Sequence, residues 1–140
     1  MVLEARKTIE RETTRLAALN ITEKEFNALK AIESKRMADH KRSRRHASDD
    51  RNFHHLIAKA SRNEILIIFS RILSVLSQKT ELFDYMGKKT DTPYYIGHRR
   101  ILEALEQRNP GRAEKRMIEH IDTLIEDVRK WGREHFSSKP

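Results

Sequence analysis

The chain contains no cysteine. That excludes a disulfide framework, a thiol nucleophile and a thiolate metal site, and it suits a reducing cytosol. Glycine and proline are scarce, four and three among 140 residues, so signals that break helices are few. Long apolar runs are missing too. The longest, Ile65 to Phe69, falls far short of the roughly 20 residues a membrane-spanning helix needs. Glu4, Arg6 and Lys7 interrupt the N-terminus, leaving no apolar signal-peptide core. These absences predict one cytoplasmic domain over residues 1–140, with no membrane association.

What remains is rich in Leu, Ile, Ala, Glu, Lys and Arg, the better helix formers. The net charge of +8 makes a polyanion a conceivable partner and says nothing about fold. Apolar periodicity divides the chain into about six helices. The first carries a stripe of Val2, Ala5, Ile9, Leu16 and Leu19. The second opens on Thr22 with Glu25 at capping-box spacing and turns Phe26, Leu29, Ile32 and Met37 inward. A basic stretch follows from Lys35 to His46, where a break or frayed end is expected. The third helix buries Phe53, Leu56, Ile57 and Ala60. The fourth starts at the cap Asn63 and is the most apolar, with Ile65, Ile68, Phe69, Ile72, Leu73, Val75, Leu76 and Phe83. Its composition predicts a central helix buried on more than one side. Thr92-Pro93 and Asn109-Pro110 are start signals for the fifth and sixth helices. The sixth turns Ala113, Met117, Ile121, Leu124, Val128 and Trp131 inward. The expected architecture is all-α, an antiparallel bundle of about six helices.

Helical phase separates the seven histidines. His98 shares a face with Tyr94, Ile101 and Leu105, and His120 with Met117 and Leu124. His54 lies one turn after Asp50 and one turn before Ile57. All three point toward the core. His55 is rotated about 100° from His54, among Arg51, Lys59 and Arg62, and should face water. Asp50 and His54 stand at i and i+4, the spacing that aligns two side chains on one helix face. A carboxylate and three imidazoles on facing helices can chelate a divalent transition metal; without sulfur the donors suit Zn, Ni, Mn, Co or Fe(II) without choosing among them. Each histidine alone is more simply a buried side chain bonded to a neighbour. Several imidazoles buried together, however, need partners for all their ring nitrogens.

The motifs carrying these residues resemble a known family. Asp50-Arg-Asn-Phe53-His54 followed by Ile57, Ala60 and Asn63, then His98-x-x-Ile101-x-x-Ala104-Leu105, then Ala113-x-x-x-Met117-x-x-His120, occur in the order found in the FCD ligand-binding domain of GntR-family bacterial transcription regulators. The opening Glu4-Ala5-Arg6-Lys7-x-x-Glu10 helix fits as well. The resemblance covers nearly the whole chain. It implies a bundle holding one metal ion through Asp50, His54, His98 and His120. It also implies a small organic acid as effector, whose carboxylate completes the coordination, and a homodimer. Arg6 is a candidate clamp for that carboxylate, or else a salt-bridge partner of Glu10; Arg71 and Tyr94 are further pocket candidates. Two features depart from the family. Gly97 stands where members often have Glu before the third ligand, and the winged helix-turn-helix that reads DNA is expected to be absent from this chain, so DNA would be a partner only through another domain.

Two other readings compete with a non-enzymatic sensor. A metal-dependent hydrolase built on a helical bundle would need a general base, for which Glu103 and Glu119 are the candidates, both on faces expected to be exposed. A nucleic-acid binder would use Lys35, Arg36, Lys41, Arg42, Arg44 and Arg45, but these lack stacking aromatics and read more simply as a solvated basic face.

Overall fold

A computed structural model describes residues 1–41, 47–78 and 94–136. Among these, every regular element is an α-helix: α1 (Val2–Asn20), α2 (Glu23–Lys41), α3 (Ala47–Ala60), α4 (Glu64–Gln78), α5 (Tyr94–Glu106) and α6 (Pro110–Phe136). The fold is the all-α bundle anticipated from periodicity. The basic residues 42–46, Phe83 and the Thr92-Pro93 start signal lie outside the described residues.

The local signals that start the helices do what their chemistry suggests. Thr22 and Glu25 form a reciprocal capping box: the Glu25 amide donates to Thr22 Oγ1 at 3.2 Å, and the Thr22 amide donates to Glu25 Oε2 at 3.0 Å. Asn63 Oδ1 accepts from the Leu66 amide, and Asn109 Oδ1 from the Arg112 amide, capping α4 and α6. Helices α3 and α5 stop at Arg62 and Arg108, which adopt φ of 60° and 48°, a conformation usually left to glycine. Long-range bonds hold both there. Arg62 grips the Glu25 carboxylate through two nitrogens, at 2.7 and 2.9 Å, and Arg108 donates to the Ile21 carbonyl at 2.9 Å.

The long α6 packs along α1 and α5, while α2 bridges α5 and α3. Between them lies one apolar core built around Leu29, Phe53, Ile57, Ile101, Leu105, Met117 and Ile121. A smaller cluster, Leu124 and Trp131 with Leu3 and Val128, extends it along α6.

Two expectations need correction. On α1 the buried face is not the apolar stripe but Arg6, Glu10, Thr13, Thr14, Ala17 and Ala18. Leu19 is exposed, because the polar side chains of α1 have partners inside the bundle. More importantly, α4 is not a central helix. It packs on α1 and α3, but the residues it buries are Ser70 and Ser77, with Leu66, Ile67 and Leu73 half-covered. The opposite face turns Ile65 (61% exposed), Ile68, Phe69, Ile72, Val75 and Leu76 to solvent. Composition shows how apolar α4 is but not which neighbours would cover it, and among the described residues only one side is covered. Met37 on α2 is also partly exposed.

Candidate metal centre

The i,i+4 step on α3 stacks Asp50 and His54, α5 supplies His98, and α6 supplies His120. All three imidazoles are buried, His98 completely, and each offers a ring nitrogen within 4.8 Å of the others. His98 Nε2 lies 3.1 Å from His120 Nε2. Asp50 Oδ1 lies 3.3 Å from His98 Nε2 and 3.9 Å from His54 Nε2. The structure thus brings the three predicted histidines to one point, with the Asp50 carboxylate beside His98 and His54. Phe53 stacks on His98 with ring centroids 4.0 Å apart and planes within 6°, fixing the plane of that ring.

Protonation favours ligation. Burial, reinforced by the charge of His120, holds His98 well below its ordinary value. Burial, with His54 second, lowers His120 to about 3. Both rings are therefore neutral near pH 7, with a lone pair on one nitrogen each. Burial alone would raise Asp50, but His54, Arg36 and Arg6 outweigh it and keep the carboxylate ionised.

The residues fit a metal ion on an observation independent of the motif. Both ring nitrogens of His54 are buried and make no hydrogen bond of acceptable geometry, although Nδ1 lies 2.8 Å from Glu10 Oε2. A buried nitrogen without a partner is costly, and His54 Nε2 faces the same point as the other rings. Two nitrogens bound at about 2.1 Å to one ion would stand roughly 3.0–3.4 Å apart, which matches the 3.1 Å between His98 and His120.

Four charged residues, Arg6, Glu10, Glu33 and Arg36, lie around this cluster. Arg6 is paired with Glu10, Nε to Oε1 at 2.7 Å, and both side chains are buried. Burial would raise the Glu10 carboxyl, but Arg6 and then His54 hold it far below the carboxylate range. On α2, Glu33 Oε1 lies 2.6 Å from His98 Nδ1 and accepts from Arg36 Nη1 at 2.9 Å. Arg36 Nη1 also touches His98 Nδ1, so it is not part of a solvated basic face. Lys35 is tied to Asp49 at 2.7 Å, and the rest of that basic stretch is not described.

Glu33 had gone unrecognised as a site residue, although it stands one turn from the buried Leu29 on the same helix face. Arg71 is not brought to the centre: it is exposed on α4, and its charge lowers His55, second to burial. His55 is half-buried, less open than expected. The Tyr94 side chain lies outside the described residues. Neither candidate general base reaches the cluster. Glu103 is exposed beside Arg99, and Glu119 is paired with Arg116 at 2.7 Å.

A family profile described as the FCD domain matches residues 1–123, which include all four converging side chains. The chain belongs to the FCD domain family. Among solved structures, E. coli McbR/YncC has a similar fold, with a TM-score of 0.80 at 16% identity, over 93% of this chain and 63% of that one. The chain therefore spans under two thirds of that protein's length. No curated protein sequence matches it. Within the FCD frame, Gly97 is accounted for by packing. A Cβ at that position would stand 2.3 Å from His120 Nδ1, so glycine lets the His120 ring lie directly against α5. The carboxylate next to His98 comes instead from Glu33 on α2.

Proposed function

We propose that this FCD domain is the effector-sensing part of a cytoplasmic GntR-family transcription regulator. It holds one divalent transition metal through Asp50, His54, His98 and His120 and takes up a small organic acid at the metal. The observation that carries this reading is the convergence of three buried imidazoles with Asp50, one of them leaving its inward nitrogen without a partner. When bound, the ion would supply open coordination positions for a carboxylate, because such metals accept more than four ligands. Arg6 lies close enough for its positive charge to favour the ionised form of Asp50 and the neutral forms of His98 and His120. It would attract the effector's carboxylate by trading part of its pairing with Glu10. Glu33 sits behind His98, on the nitrogen facing away from the cluster, which suits orientation of the ring rather than activation of water.

DNA binding would reside in an attached winged helix-turn-helix. An effector controls it only if it binds two helix arrangements with different affinity. The outer face of α4 supports a homodimer. It is a continuous apolar stripe whose helix carries no charged side chain but Arg71 between residues 65 and 78. A second copy of a chain with net charge +8 can approach through such a face with little repulsion, and it would bury the same stripe from both sides.

The test is elemental analysis of protein purified without a histidine tag, followed by thermal-shift screening of organic acids on metal-loaded protein. Stoichiometric metal and a carboxylate-dependent rise in Tm are expected. A metal-free protein whose melting ignores both added metal and acids would overturn the proposal.

A further inference from the structure

We propose that Glu33 is a positioning residue that selects which nitrogen of His98 faces the metal. The inference rests on the metal reading above and goes beyond it by assigning a tautomer to a residue on a different helix.

A neutral imidazole carries one proton, and whichever nitrogen holds it cannot bind a metal. His98 is pulled toward both tautomers. At Nδ1, Glu33 Oε1 stands 2.6 Å away and can only accept when ionised, which favours the proton on Nδ1. Arg36 Nη1 touches the same nitrogen and can only donate, which favours a bare Nδ1. At the other end, Asp50 Oδ1 at 3.3 Å would accept a proton from Nε2. Arg36 and Asp50 therefore favour the tautomer that cannot ligate, while His120 Nε2, 3.1 Å from Nε2, can pair with either. Glu33 opposes them, and its placement is strong. It comes from α2, it is buried, and Arg36 anchors its carboxylate at 2.9 Å, so the same guanidinium that competes for the ring also fixes the residue that wins. With the proton on Nδ1, Nε2 presents its lone pair to His120 Nε2 and Asp50, where the other ligands converge. Phe53, stacked on the ring, holds its plane in the direction of the cluster. Histidine ligands generally donate their outer N–H to a carboxylate for this reason. Here the carboxylate is neither on the ligand's own helix nor next to it in sequence.

The experiment uses the unaltered 140-residue chain, Glu33→Ala and Glu33→Gln, with thermal melts confirming that each folds. Two-bond nitrogen–proton NMR on metal-free protein reads the His98 tautomer. Competition against a chromophoric chelator reads the affinity for cobalt(II) alone, and the visible spectrum reads its coordination. The unaltered chain should show the Nδ1–H tautomer. Glu33→Ala should move the proton to Nε2 and weaken cobalt binding by about 10–100-fold, the range for losing such a partner. Glu33→Gln keeps an acceptor oxygen and should lose less on both readouts. An unchanged tautomer and unchanged cobalt affinity in Glu33→Ala would overturn the assignment while leaving the metal reading standing. An unaltered chain that takes up no cobalt would remove the metal reading itself, and this inference with it.

Discussion

The histidine centre and the outer face of α4 depart from ordinary burial in opposite directions. At the centre, Arg6, Glu10, Glu33, His54, His98 and His120 are buried in a bundle of only 140 residues. On α4, six large apolar side chains face solvent. Both arrangements cost free energy in an isolated chain, the first by stripping water from polar groups and the second by leaving apolar surface wet. The centre offsets part of that cost internally, through the Arg6–Glu10 and Glu33–Arg36 pairs and the contacts between rings. What remains without a hydrogen-bond partner is the inward Nε2 of His54. The α4 face has no covering side chain among the described residues. On the proposed function, the first region takes a small cation and the second a partner surface, and the two should respond independently.

The largest expected effect is at the centre. His98→Ala or His120→Ala should weaken metal binding by more than the roughly 10–100-fold typical of an outer partner, measured by chelator competition, whereas His55→Ala should leave it unchanged. Equal losses in all three would place the ion elsewhere. Chelator treatment should lower Tm and added metal restore it; metal at 100 times its Kd is worth about 2.7 kcal/mol to the folded state.

Next comes the packed core, which belongs to neither region and calibrates both. Ile57→Ala, at a fully buried position, should cost roughly 2–5 kcal/mol in chemical denaturation. Ile72→Ser on α4 should cost much less in the monomer. A comparable cost in both would mean that α4 is covered within the chain itself.

A charge on the α4 stripe sharpens the contrast. Ile68→Glu should shift sedimentation from dimer to monomer with metal affinity intact. A dimer that survives it would move the interface to another surface.

The smallest effect is at the Glu25–Arg62 pair. Arg62 first, and the Thr22 cap after it, lower the Glu25 carboxyl from 4.5 to about 2. A group depressed on folding stabilises the fold above its unfolded value and loses that contribution as pH falls through the folded one. Arg62→Ala should therefore lower stability slightly at neutral pH, with the deficit vanishing between pH 4.5 and about 2. A deficit independent of pH would assign it to the left-handed backbone at Arg62 instead.

Some of these features were legible beforehand and others were not, for reasons visible in single residues. Thr22 with Glu25, Asn63 and Asn109 marked helix starts because a cap is satisfied within three residues of itself. Asp50, His54, His98 and His120 could be placed on inward faces because helical phase relates each to apolar neighbours one turn away. Helical phase could not show Glu33 reaching His98, since the two lie 65 residues apart, nor that Arg36 would leave the basic stretch to join them. The α4 error has the same origin. Ile65, Ile68, Phe69 and Ile72 state a demand for apolar surroundings without stating who supplies them.

By itself, then, the amino-acid order determined the helices, their caps and the inward direction of four metal-type ligands, all consequences of periodicity within a turn or two. The tertiary structure decided which carboxylate stands behind which imidazole, why position 97 holds glycine against the His120 ring, and which apolar face was left outside. Those outcomes depend on how helices distant in sequence are set against one another, and no local pattern encodes that relation.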